Sequence, residues 1–210
     1  SGGYTGKYFN HLLEKENIPA VIIETANETR ENIIVVDEAT NNQYRFGMPG
    51  TGLTAAEWNK CLHAVEEMSD VEFIIASGSL PPGVPDTIYA LLAKIAKSKN
   101  AKFIVDTSGE ALKHAAAEGV YMLKPNLGEL SSLAGKKEIQ PGEVKTIARE
   151  IIAKGNCEVI VVSMGADGAM LVTAEIAGIF KPPAVERKST VGAGDSMVAG
   201  IVFYFAQGKD

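Results

Sequence analysis

Ser189-Thr190-Val191-Gly192-Ala193-Gly194-Asp195-Ser196 sets two glycines around one small residue and follows them at once with a carboxylate. The next eleven residues, Met197 to Gln207, are mostly apolar and read as a helix. Gly192 and Gly194 lack a Cβ, so the backbone there can approach a ligand closely. The helix that follows begins with N–H groups that have no intrahelical acceptor, and its start carries about half a positive charge. Such an end suits a phosphate or a developing anion. Asp195 has two readings. A carboxylate in a first helical turn is favourable by roughly 0.3–1 kcal/mol, which makes it a helix-start aspartate. Beside an anion site it is also placed to act as a general base toward an attacking hydroxyl.

Outward from this stretch the chain alternates strands and helices. Apolar runs at Glu72–Ala76, Lys102–Asp106, Tyr121–Leu123 and Val159–Ser163 read as buried strands. Helices are expected from Pro85 to about Lys97, over Ala111–Ala117, after an Asn126 cap, and over Gly142–Lys154. Ala169–Thr173 and Gly178–Lys181 read as strands around a turn. This alternation predicts an α/β fold, a doubly wound, mainly parallel sheet with helices on both faces. Ligands in such sheets bind beyond the carboxyl ends of the strands. The Ser77 loop, Asp106, the Lys124 segment and the Ser163 loop all fall there.

The N-terminal third departs from the alternation. A helix is expected from Gly6 to about Lys15, capped by Thr5, with Tyr8, Phe9, Leu12 and Leu13 on its apolar face. Ala20–Glu24 reads as a short buried strand. Asn32–Asp37 and Gln43–Met48 read as a hairpin turned at Asn41-Asn42. Thr54 and Glu57 form a capping-box pattern before a helix to about Met68.

Composition bounds the partners. At 210 residues, 46% hydrophobic and 22% charged, the chain is an ordinary globular one. Twenty basic against 26 acidic side chains give a net charge of −6, which argues against a nucleic-acid surface but not against a small anionic substrate. No apolar run nears the ~18 residues that span a bilayer, so no membrane partner and a cytoplasmic location are expected. Cys61 and Cys157 match no metal or redox spacing. Gly6-Lys7-Tyr8 misses the P-loop pattern, and no G-x-G-x-x-G follows a strand.

The stretch T-V-G-A-G-D-S resembles the signature of the ribokinase-like sugar kinases, the PfkB family, and other segments match in the same order. Ser77-Gly78-Ser79-Leu80-Pro81-Pro82-Gly83 resembles the family's substrate loop. Lys124-Pro125-Asn126 with Glu129 resembles its N-x-x-E segment, and Ser163-Met164-Gly165-Ala166-Asp167-Gly168 its nucleotide loop. The runs Gln43–Gly50 and Val105–Leu112 are similar to the family's phosphofructokinase branch.

The resemblance implies roles for these residues. Asp195 would be the base, with the N–H groups of Gly192, Ala193, Gly194 and Asp195 stabilising the transferred phosphoryl group. Arg30 and Ser79 would bind the sugar phosphate. Lys124, Asn126, Ser163, Gly165 and Gly168 would bind nucleotide, and Glu129 with Asn126 would hold Mg²⁺. The implied reaction is ATP-dependent phosphorylation of a ketohexose phosphate, fructose 6-phosphate foremost. 1-Phosphofructokinase and tagatose-6-phosphate kinase activities are the rivals. A non-catalytic sugar-phosphate or nucleotide binding module is the alternative from another class, and retention of Asp195 with both glycines argues against it. Residues 30–50 would form a lid inserted in a 1–210 kinase domain and pair two subunits as a homodimer. The family's first strand with its substrate aspartate, its G-G-x-x-x-N segment and its adenine wall have no match. The chain is therefore expected to be incomplete at both termini and inactive as the 210-residue span alone.

Overall fold

The computed structural model describes residues 1–40, 42–183 and 191–208. Asn41, Ser189 and Thr190, used above, lie outside them. The chain divides into two compact units, Ser1–Met68 with Leu80–Pro85, and Ser69–Ser79 with Asp86–Asp210.

The first unit holds helix α1 (Gly3–Lys15), strands β1 (Asn32–Asp37) and β2 (Asn42–Gly47), and helix α2 (Ala55–Glu67). α1 starts three residues before the expected Gly6, and its N-cap is Gly2 rather than Thr5. The reason is a distant carboxylate. Glu28 Oε1 accepts the N–H groups of Tyr4 at 2.7 Å and Thr5 at 3.3 Å, which serves two of the donors that a helix start leaves open. Its expected apolar face is not buried: Tyr8, Phe9 and Leu12 are exposed among the described residues. Ala20–Glu24 forms no strand, and Val21 and Ile22 are exposed. Just beyond it, Thr25 N–H donates to the Ser1 carbonyl at 3.2 Å.

β1 and β2 pair antiparallel with Ile33 opposite Phe46 and Val35 opposite Tyr44. These four side chains share one face, and all are exposed. Asp37 organises the turn, its carboxylate accepting from Ala39 N–H at 2.9 Å and Thr40 Oγ1 at 2.6 Å. The capping box of α2 forms as expected. Glu57 Oε2 accepts Thr54 N–H at 2.7 Å, Thr54 Oγ1 accepts Glu57 N–H at 3.3 Å, and Glu57 Oε1 accepts Ala26 N–H at 2.6 Å. These bonds hold the Glu57 carboxyl below its ordinary pKa, the Thr54 N–H contributing most.

The second unit is a six-stranded sheet in the order β3 (Phe73–Ser77), β4 (Lys102–Asp106), β5 (Val120–Leu123), β6 (Cys157–Ser163), β7 (Ala169–Val172), β8 (Ala177–Phe180). β3 to β6 are parallel; β7 and β8 are antiparallel additions at one edge. Helices α3 (Ile88–Ser98), α4 (Gly109–Glu118), α5 (Leu127–Leu133) and α6 (Val144–Ala153) connect the parallel strands. α3 begins at Ile88, so Pro85 belongs to the preceding turn and does not open the helix. The parallel strands advance one place at a time in one direction, so right-handed crossovers carry these helices over one face.

The other face is covered by the last helix, α7 (Ala193–Phe205). Val198 of α7 is buried with Ile104, Met122, Val159 and Val161 of the strands, and Met197, Ile201, Val202 and Phe205 pack alongside. The Phe205 ring meets Tyr121 edge-on at 5.6 Å, and Lys102 Nζ lies 4.7 Å from the Tyr121 ring. The apolar stripe of α7 thus presses its whole length on the sheet and holds its N-terminus at the carboxyl ends of the strands.

Gly168 joins β6 to β7. It takes φ +93°, and a Cβ there would lie 2.0 Å from the Phe180 carbonyl oxygen. Gly165 takes φ +62° with open space around it. Gly168→Ala should therefore lower the unfolding free energy by at least ~2 kcal/mol, and Gly165→Ala by only about 1 kcal/mol. Denaturant unfolding of both variants measures the difference; equal costs would contradict the close approach at Gly168.

Candidate active site

The parallel strands end together at Ser77, Asp106, Leu123 and Ser163. Each is followed by a segment that carries polar side chains, as expected of this sheet type. Gly192, with φ +74°, is the N-cap of α7, and Asp195 is in its first turn. The Ser77 hydroxyl donates to Asp195 Oδ1 at 3.0 Å, across 118 residues of sequence. Asp195 is exposed. It therefore combines an oriented carboxylate with access from solvent.

Beneath it lies an ion pair. Lys124, one residue past β5, places Nζ 3.1 Å from Oδ1 of Asp106, the last residue of β4, and the two side chains are only 7% and 17% exposed. Lys124 is thus not a solvated surface lysine. Gly194 rests against this pair: a Cβ at that position would lie 3.3 Å from Lys124 Nζ and 3.6 Å from Asp106 Oδ2. The absence of a side chain at Gly194 lets the first turn of α7 come down on the ammonium. The N–H groups of Ala193, Gly194 and Asp195 have no intrahelical acceptor, and they share the place with a positive helix end and a cation. An anion is favoured there, directly beside a carboxylate.

Asn126 and Glu129 form a capping box at α5. Asn126 Oδ1 accepts Glu129 N–H at 2.9 Å, and Glu129 Oε2 accepts Asn126 N–H at 2.8 Å. Asn126 also bridges in parallel to Ser163, whose N–H donates to the Pro125 carbonyl at 2.9 Å. The Lys124 segment and the Ser163 loop are therefore adjacent. Gly165 and Gly168 bound the tight turn that follows, closed by Met164 N–H on the Gly168 carbonyl at 2.8 Å. Among the described residues no three His, Cys, Asp or Glu side chains gather as a metal cluster.

The structure brings together Gly194, Asp195 and Lys124, and joins Asn126, Glu129 and Ser163 to the Lys124 segment. Ser79 is exposed two residues beyond β3. Arg30 lies in the first unit, two residues before β1, with its guanidinium close to Gly50. Sequence reasoning placed the Ser77 loop and Asp106 at the ligand-binding edge of the sheet but gave neither residue a role. Asp106 carried one usable signal, a carboxylate ending an apolar strand; Ser77 carried none beyond its loop.

The description "pfkB family carbohydrate kinase" belongs to the family model that matches residues 2–210. The chain is 40% identical over 208 residues to the ATP-dependent 6-phosphofructokinase isozyme 2 of Escherichia coli K12, covering 99% of this chain and 67% of that protein. It is 38% identical to the isozyme 2 enzyme of Mycobacterium tuberculosis H37Rv, with 99% and 61% covered. Identity to the 1-phosphofructokinase of Bacillus subtilis is 29%, with 96% and 65% covered. The crystal structure of Escherichia coli phosphofructokinase-2 in complex with fructose-6-phosphate superposes with a TM-score of 0.93 at 39% identity, over 100% of this chain and 69% of that one. The chain spans about three fifths to two thirds of the length of these curated relatives.

Removing one partner of a largely desolvated ion pair leaves the other charge uncompensated. Asp106→Asn and Lys124→Met should each lower stability by about 2–4 kcal/mol, and the double change Asp106→Leu with Lys124→Met should recover much of that loss. Denaturant midpoints read this directly. Neutral single variants would show that the pair is solvated.

Proposed function

The chain belongs to the pfkB family of carbohydrate kinases, and from that premise we propose that the full-length protein transfers the γ-phosphoryl group of ATP to a ketohexose phosphate, fructose 6-phosphate foremost, yielding fructose 1,6-bisphosphate and ADP. The observation that carries this reading is Asp195 in the first turn of α7, held by the Ser77 hydroxyl and set beside Gly194 and Lys124. The similarity to 6-phosphofructokinase isozyme 2 supports the substrate, and the lower identity to 1-phosphofructokinase keeps fructose 1-phosphate as the competing one.

In this mechanism Asp195 accepts the proton of the sugar hydroxyl as its oxygen attacks the γ-phosphorus. The N–H groups of Ala193, Gly194 and Asp195 and the Lys124 ammonium offset the charge on the transferring group. Ser163, Gly165 and Gly168 border the nucleotide. Arg30 and Ser79 contact the sugar phosphate, for which an arginine fork is suited. Glu129 and Asn126 fit Mg²⁺ in one respect: the capping box uses Glu129 Oε2 and leaves Oε1 as a hard oxygen donor. Held by Glu129 and Asn126, Mg²⁺ would supply positive charge to neutralise nucleotide phosphate. No helix is long and apolar enough to cross a membrane among the described residues. A cytoplasmic location is part of this proposal and rests on the similarity to the phosphofructokinases.

The β1–β2 hairpin supports an assembly. Its face of Ile33, Val35, Tyr44 and Phe46 is exposed, and a two-stranded hairpin is marginal by itself in water. We assign this face to contact with a second copy of the chain.

Coupled ADP release from the full-length protein, with fructose 6-phosphate, fructose 1-phosphate and tagatose 6-phosphate compared, tests the activity. Asp195→Asn keeps the shape and removes the proton acceptor, so turnover should fall by ~10²–10⁴-fold with ATP affinity retained; near-normal turnover would remove Asp195 as the base. In the same assay Arg30→Ala should raise KM for the sugar phosphate and not for ATP. For the assembly, Phe46→Asp should convert a dimer to monomer in sedimentation velocity, and a wild-type protein that is monomeric at all concentrations would sink the lid contact.

A further inference from the structure

The loop after β3 carries Ser77 and Ser79 on either side of Gly78. Gly78 takes φ +106°, a region that costs an ordinary residue about 1–3 kcal/mol. Its polar groups are all engaged. Its N–H donates to the Asp106 carbonyl at 2.9 Å, one residue beyond the Ser77–Asp106 register pair. Its carbonyl accepts two hydroxyls, Tyr89 Oη at 2.9 Å and Thr107 Oγ1 at 2.8 Å.

Both donors come from rigid elements. Tyr89 is in the first turn of α3 and 8% exposed; Thr107 follows β4 directly and is 6% exposed. A buried hydroxyl left without a partner is costly; both hydroxyls lie within bonding distance of this carbonyl, and they also meet each other. Burial also pushes the Tyr89 phenol up, which keeps it protonated and donating. With N–H and carbonyl both fixed, the peptide planes on the two sides of the Gly78 Cα cannot turn. Those planes set the directions of the Ser77 and Ser79 side chains.

We propose that Tyr89 and Thr107 are positioning residues: their hydroxyls clamp the Gly78 carbonyl and so fix Ser77 toward Asp195 and Ser79 toward the sugar phosphate. The effect on turnover rests on the kinase reading above. The effect on the loop rests on geometry alone. Tyr89→Phe keeps the buried ring and Thr107→Val keeps the volume, so both variants remove the clamp with the packing retained.

The experiment uses the full-length protein with Tyr89→Phe, Thr107→Val, Thr107→Ser and the Tyr89→Phe, Thr107→Val double variant. Amide hydrogen exchange over residues 77–79 should speed up by at least ~10-fold in the double variant, with β5 and β6 unchanged. Each single loss should lower kcat/KM for the sugar phosphate by about 3–10-fold and the double loss by about 10–100-fold, with KM for ATP unaltered. Thr107→Ser, which keeps the hydroxyl, should recover most of what Thr107→Val loses. Unchanged exchange over 77–79 in the double variant overturns the clamp. Faster exchange with unaltered kcat/KM overturns its positioning role. A wild-type protein that turns over no sugar phosphate removes the kinase reading, and the exchange result still decides the clamp.

Discussion

Lys124 and Asp106 meet where three elements converge, the ends of β4 and β5 and the first turn of α7. A lysine this enclosed is unfavourable unless its charge is answered, and among the described residues the strand-end carboxylate of Asp106 answers it by ion pairing. The pair in turn dictates Gly194, because α7 descends to within 3.3 Å of the ammonium, measured from where a Cβ would stand. The apolar side of α7 then follows, since a helix pinned at that end must bury Val198, Ile201 and Phe205 along the sheet. Fold and site therefore share one constraint: the helix that presents Asp195 is seated on a buried charge pair.

The structure differs most from the sequence reading where partners are distant. Thr54 with Glu57 and Asn126 with Glu129 were legible, because a capping box closes within three residues. β3 to β6 were legible as apolar runs of strand length, and the inner strands β4, β5 and β6 are buried along most of their residues. The start of α1 was not, since its cap is Glu28, a carboxylate on another segment. Ala20–Glu24 has the composition of a buried strand, yet composition does not supply a neighbouring ladder. Tyr8, Phe9 and Leu12 have the right spacing for a buried stripe, yet they are exposed.

The site divides the same way. Gly192, Gly194 and Asp195 stand in one short motif and could be singled out as a group. The bond from Ser77 to Asp195 joins two segments 118 residues apart, and neither side chain announces the other. The Gly78 carbonyl is still less visible, since the groups that hold it are a tyrosine on a helix and a threonine after a strand. Local chemistry singles out the candidate residue; tertiary structure supplies the residue that orients it.

The distribution of charge among the two carboxylates bears on how Asp195 can serve as a base. Only one of the two is paired with the Lys124 ammonium among the described residues, and that one is Asp106. The structure separates the tasks. Lys124 is committed to Asp106 at 3.1 Å, while Asp195 receives a neutral hydroxyl from Ser77. A neutral donor orients a carboxylate with less effect on its charge than a cation has. Lys124 keeps two further N–H donors, because an ammonium has three, and the first turn of α7 adds unpaired amides beside it. The positive groups thus gather where a transferring phosphoryl group would need them, and Asp195, the carboxylate proposed as the base, is left outside that ion pair.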